Sequence, residues 1–197
     1  MSNHSRLDWL KAVIRRAIAF VHGLLWIPTD LPGCLLWLRA SRGVVKTGSL
    51  VAIRVDQAGD HTVLAPSVVE RPRFVGRSDA FNQRPAVRFD GIGDLLEKDD
   101  DVALPVGGDA FSVFVVLSQA AVGVANGTVV VWGDSAPRVA LSVSSRNVFE
   151  AYLDGAYSSD VTLMTGKPYL LGLVYAEEKA ALYVRIPGDL GTESART

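Results

Sequence analysis

Val113-Phe114-Val115-Val116-Leu117 is apolar at every position. Side chains alternate between the two faces of a strand, so an unbroken apolar run needs cover on both faces. The run therefore reads as a central strand. Further along, Leu141-Ser142-Val143-Ser144 alternates apolar with polar, the pattern of a strand with one wet face. Short apolar runs of this kind recur on either side. They predict strands at Cys34–Arg39, Leu50–Val55, Ala86–Phe89, Ser112–Ser118, Thr128–Trp132, Val139–Val143, Val148–Leu153, Pro168–Tyr175 and Ala181–Arg185. Asp154-Gly155 and Ala176-Glu177-Glu178-Lys179 supply hairpin or turn chemistry, and Arg71–Arg84, with Pro72 and Pro85 near its ends, reads as a loop. Many short strands with regular turns predict an all-β sandwich or barrel over residues 29–197.

Residues 1–28 follow another rule. Ser5 and Asp8 form a capping-box-like start, and Pro28 forms a stop. Between them Leu7, Leu10, Ile14, Ala17, Val21 and Leu24 recur at spacings of three and four, which is a heptad seam. The expectation is an N-terminal amphipathic α-helix, roughly 30 Å long at about 1.5 Å per residue. Val13 and Phe20 widen the apolar stripe on one side, Ile18 and Leu25 on the other. So broad a stripe must be buried: against the protein's own sandwich, in a small parallel bundle with a trimer favoured, by docking into a larger assembly, or on a membrane surface. The six seam residues are the candidate assembly or anchoring residues.

Composition narrows the function. The 197 residues carry 20 basic and 21 acidic side chains, a net charge of −1, which gives nucleic acid no electrostatic purchase. The single cysteine, Cys34, permits no intrachain disulfide. The apolar run Ala17–Ile27 is shorter than the roughly 20 residues of a membrane span. Leu31-Pro32-Gly33-Cys34 imitates a lipoprotein box, but proline sits inside it and Cys34 opens a strand-like run. The expectation is no transmembrane span and no cleaved secretion signal. The sequons at Asn3 and Asn126 matter only in a secreted chain.

Leu31-Pro32-Gly33-Cys34-Leu35-Leu36-Trp37-Leu38-Arg39-Ala40-Ser41, then Asp56-Gln57-Ala58-Gly59, then Arg71-Pro72, then Arg84-Pro85-Ala86-Val87-Arg88-Phe89-Asp90-Gly91, Asp94-Leu95-Leu96 and the strand from Phe111 to Leu117 follow one another in order. This series resembles the concanavalin A-like, laminin-G-like jelly-roll domains, well over residues 31–118 and weakly to Ile186. The resemblance implies a two-sheet jelly-roll sandwich in which Trp37 and Phe89 anchor the space between sheets. There are departures. The family usually carries Asp where Arg39 stands, and it continues past the strand resembling Ala181–Arg185 with a further strand and a helix. The expectation is a sandwich with one open edge, covered by a neighbouring subunit or by the N-terminal region.

Catalytic patterns are missing. Retaining glycosidases need two carboxylates about 5–5.5 Å apart, which on a strand means alternating acids, and none occur here. His4, His22 and His61 are scattered, Cys34 reads as a buried thiol, and Gly107-Gly108 and Gly123 to Gly127 read as turns rather than phosphate loops. The acidic run Glu97-Lys98-Asp99-Asp100-Asp101 makes Asp99 and Asp101 candidate calcium ligands, at a spacing that matches no defined calcium loop. No other cofactor is implied. Trp132, Asp134, Asn147, Tyr152, Asp154 and Tyr157 combine aromatic platforms with polar groups and are the candidate glycan-binding residues.

Architecture and resemblance together give the expectation of a non-enzymatic structural or interaction protein. It would be an oligomeric bacteriophage virion component — capsid decoration, head fibre or tail-associated — in contact with copies of itself or other virion proteins. The alternative is a carbohydrate-binding, lectin-like module recognising surface glycans.

Overall fold

The computed structural model describes residues 27–59, 61–98, 104–105, 108–120, 127–133, 138–153 and 155–186. The expected helix, with Leu7, Leu10, Ile14, Ala17, Val21 and Leu24, lies outside them, as do Asp99 and Asp101. Among the described residues the structure is antiparallel β, with three one-turn 3-10 segments at Pro28–Asp30, Val68–Glu70 and Asp79–Phe81 and no α-helix. No helix among them is long and apolar enough to cross a membrane.

The strands are β1 (Val44–Thr47), β2 (Leu50–Val55), β3 (Thr62–Leu64), β4 (Arg73–Ser78), β5 (Arg84–Arg88), β6 (Glu97–Lys98), β7 (Phe111–Ser118), β8 (Gly127–Trp132), β9 (Val139–Val143), β10 (Val148–Tyr152), β11 (Ala156–Thr162), β12 (Pro168–Ala176) and β13 (Lys179–Arg185). They fall into two compact units, one of Met1–Arg77 with Arg84–Val102, the other of Ser78–Gln83 with Ala103–Thr197.

In the first unit the strand order is β5-β4-β2-β3-β6, with β1 also on β2. Val51, fully buried, is its apolar centre on β2. The Cys34–Arg39 segment is not a ladder strand, contrary to its apolar pattern. Its backbone is held instead by one turn, through the Asp56 side chain and the Gln57 backbone. Asp56 Oδ1 accepts the Trp37 N–H at 2.6 Å and the Ala58 N–H at 2.9 Å, while the Gln57 N–H donates to the Trp37 carbonyl at 2.9 Å. A carboxylate can replace ladder partners because it accepts several N–H groups at once. Gly43 is required beside this turn. Its φ is +69°, and a Cβ there would lie 2.6 Å from Gln57 Nε2 and 2.7 Å from the Val55 carbonyl. The Arg71–Arg84 stretch contains β4, whose Phe74 N–H pairs with the Ser49 carbonyl at 2.7 Å. Arg73, Arg77 and Gly76 disguise this strand as a loop.

The second unit is a two-sheet sandwich. One sheet has the order β11-β10-β9-β8, the other β13-β12-β7. Val139, Leu141, Val143, Phe149 and Ala151 from the first sheet share a core with Tyr169, Leu171, Leu173, Tyr175, Ala180, Leu182 and Val184 from the second. Burying each Leu or Phe side chain here stabilises the fold by about 1.5–3 kcal/mol. Tyr169 is 1% exposed, and its hydroxyl accepts the Met164 N–H at 2.8 Å, so its one polar atom is satisfied inside. The β12–β13 connection places Glu177 and Glu178 at φ 55° and 60°, the two left-handed residues that a tight hairpin turn of matching twist demands. Among the described strands β7 is an edge, paired with β12 alone, although its sequence reads as central. Val116 on it is 51% exposed.

Candidate functional site

The outer face of the four-stranded sheet carries a continuous polar row. Alternation fixes it. Leu141 and Val143 on β9, and Phe149 and Ala151 on β10, face the core, so Ser142, Glu150 and Tyr152 face outward. Register then aligns them. Thr128 on β8 stands opposite Ser142, Ser142 opposite Glu150, and Glu150 opposite Ser158 on β11. One polar row thus crosses all four strands.

The next row has different chemistry. Tyr152 stands between Ala140 on one side and Ala156 on the other, with Val131 beyond Ala140. Two alanines leave the tyrosine ring standing above low ground, 39% exposed. Its hydroxyl donates to Glu150 Oε2 at 2.9 Å. That bond, first, and then burial and the Glu150 charge, raise the tyrosine pKa, so it remains a phenol and a donor. Arg146 Nη2 lies 3.6 Å from Glu150 Oε1. The guanidinium is exposed while the carboxylate is largely buried, so the pair is worth about 1 kcal/mol or less in solvent-screened terms. Ser142 is buried, and its hydroxyl has no hydrogen-bond partner. The arrangement is a buried polar floor, Ser142 and Glu150, with an exposed rim of Tyr152 and Arg146. It offers hydroxyl and carboxylate acceptors beside an aromatic face.

The residues expected from the sequence to bind a glycan do not all meet here. Tyr152 is at the centre. Tyr157, opposite Ala151, faces the other way and packs against the core. Trp132 also packs inward. Its Nε1 donates to the Pro105 carbonyl at 2.7 Å, and its ring meets Phe111 edge-on at 5.4 Å. Asn147 serves the β9–β10 turn at φ 60°, with its Oδ1 accepting from Gln119 Nε2 at 3.0 Å. Asp134 and Asp154 lie outside the described residues. Thr128, Arg146, Glu150 and Ser158 are not among the residues expected from the sequence, and Ser142 is expected only as part of a wet strand face. The signal for them was present: a lone acid in the apolar run Val148–Leu153, on the same parity as the wet-face serine of the neighbouring strand.

A second polar spot lies in the first unit. Asp56 is 3% exposed, and its Oδ2 has no hydrogen-bond partner. The Cys34 thiol is pushed up by burial and further by the Asp56 charge, against a lowering bond from the Leu36 backbone. Among the described residues no group of three or more His, Cys, Asp or Glu side chains is placed to hold a metal ion. No protein-family model, curated protein or solved structure matches the chain.

Proposed function

We propose that the protein is a non-catalytic, lectin-like interaction module of the concanavalin A-like jelly-roll kind, binding a neutral saccharide on the outer face of its four-stranded sheet. The polar row Thr128–Ser142–Glu150–Ser158 beside the raised Tyr152 ring carries this reading. A pyranose has an apolar C–H face and an equatorial belt of hydroxyls. The ring takes the first, while the partly exposed Glu150 carboxylate and the exposed Arg146 guanidinium take the second. The assembly role expected of Leu7 to Leu24 belongs to residues outside the described ones, so the saccharide reading comes first and the virion role second.

The test is a glycan array with the full chain, followed by calorimetric titration of the strongest hit. Binding that weakens about tenfold or more in Tyr152→Ala, equivalent to about 1.4 kcal/mol, supports the site. Silence across neutral and acidic glycans, or binding indifferent to Tyr152→Ala and Arg146→Ala, overturns it.

A further inference from the structure

The second unit has four edge strands among its described residues, and three of them are guarded. β8 carries a bulge between Thr128 and Val130. β11 pairs with β10 through an irregular register and exposes Asp160. β13 begins with Lys179 and ends with Arg185. Bulges and charges are the usual means of keeping a sheet edge from pairing with another chain. β7 has neither. Its eight residues, Phe111-Ser112-Val113-Phe114-Val115-Val116-Leu117-Ser118, contain no charge, proline or glycine. Phe111 to Ser118 pair with Tyr175 to Pro168 without a break. Among the described strands its only ladder partner is β12. The Phe114 ring leans back over its own sheet, onto Gly172, where a Cβ would meet it at 2.8 Å.

The strand is also its own complement. Paired antiparallel with a second β7 about a twofold axis at Val115, Ser112 falls opposite Ser118 and Phe114 opposite Val116 on the outer face. On the inner face Val113 falls opposite Leu117 and Val115 opposite itself. Every pair matches in polarity, as an isologous contact requires. We propose that β7 is a strand-pairing site for a second copy of this chain, joining two three-stranded sheets into one continuous sheet across a twofold axis. Val116, exposed in the single copy, would then lie inside a continuous six-stranded sheet, directly opposite the partner's position 114.

Sedimentation equilibrium of the full chain across a wide dilution series tests this. The expected species is a dimer of the 21.1 kDa chain, reduced to monomer by Val116→Lys while circular dichroism keeps its β signature. A second measurement holds even if that variant misfolds. In a Cys34→Ser background, Ser112→Cys with Ser118→Cys should give a covalent dimer on oxidation, and neither substitution alone should. Positions 112 and 118 lie about 20 Å apart along one strand, too far for a bridge within a copy. A monomer or a trimer at all concentrations overturns the proposal. So does a dimer that survives Val116→Lys, or a double-cysteine variant that stays monomeric after oxidation.

Discussion

The side chain of Asp56 holds the backbone of Trp37, nineteen residues away, through a 2.6 Å N–H···Oδ1 bond, and closes its own turn through Ala58. The Trp37 backbone is thus held by the Asp56 carboxylate together with the Gln57 N–H on its carbonyl, in place of a ladder.

Asp56→Ala should destabilise the protein by about 2–4 kcal/mol, since two N–H groups lose a charged acceptor. Asp56→Asn, which keeps one acceptor oxygen, should cost about half as much. Urea unfolding curves measure both. Equal stability of wild type and Asp56→Ala would show that the bond to Trp37 does not anchor this segment.

Gly172→Ala should destabilise by about 1–3 kcal/mol, because the new methyl would sit 2.8–2.9 Å from the Phe114 ring. Phe114→Leu should recover most of that loss in the double variant. Thermal melts of the four proteins give the coupling, and strictly additive effects would place the ring elsewhere.

Arg54 stands between Val44 and Val63, with Nε and Nη2 buried and without partners. Burial lowers its pKa. Arg54→Met keeps the length and removes the dehydrated charge, so stability should stay equal or rise by about 1 kcal/mol. A loss of several kcal/mol in the same assay would mean the guanidinium has a counter-charge.

Asp90 caps the loop after β5. Its Oδ1 accepts from the Ile92, Gly93 and Asp94 N–H groups, at 2.8, 3.0 and 3.1 Å. Those bonds hold its carboxyl below the ordinary 3.8. A depressed folded pKa means the loop's stabilisation is complete above the unfolded value and is lost as pH falls through the folded one. The three amides should therefore keep their shifts and exchange protection down past pH 3.8 and lose them only in stronger acid. Loss at or above that pH would contradict the capping role. Asp90→Asn should flatten the response.

Much of the sandwich was legible because its strands alternate or run apolar. The predicted spans Leu50–Val55 and Val139–Val143 coincide with β2 and β9, and six others shift by no more than three residues at either end. What failed did so for local reasons. Cys34–Arg39 has the composition of a strand, but the turn at Asp56 and Gln57 holds its backbone, and no pattern in the segment itself shows that. β4 carries arginines on an exposed face, which hides the apolar Phe74 and Val75. β7 is apolar on both faces yet lies at an edge, since composition reports what a strand tolerates, not which neighbours arrive. In the candidate site Tyr152 was legible as an exposed aromatic. The outward parity of Ser142 and Glu150 was legible strand by strand, but their alignment with Thr128 and Ser158 was not, because it exists only after four strands come into register.

That register rests on Val129. Thr128 pairs with Ser142 and Val130 with Leu141, so Val129 is supernumerary in its strand. Both Val129 and Val130 turn inward. In an uninterrupted strand Val129 would have met Ser142, and the threonine would have been driven inside against Val143. One surplus valine shifts the phase by half a pleat and delivers a hydroxyl, in place of an isopropyl group, to the end of the belt.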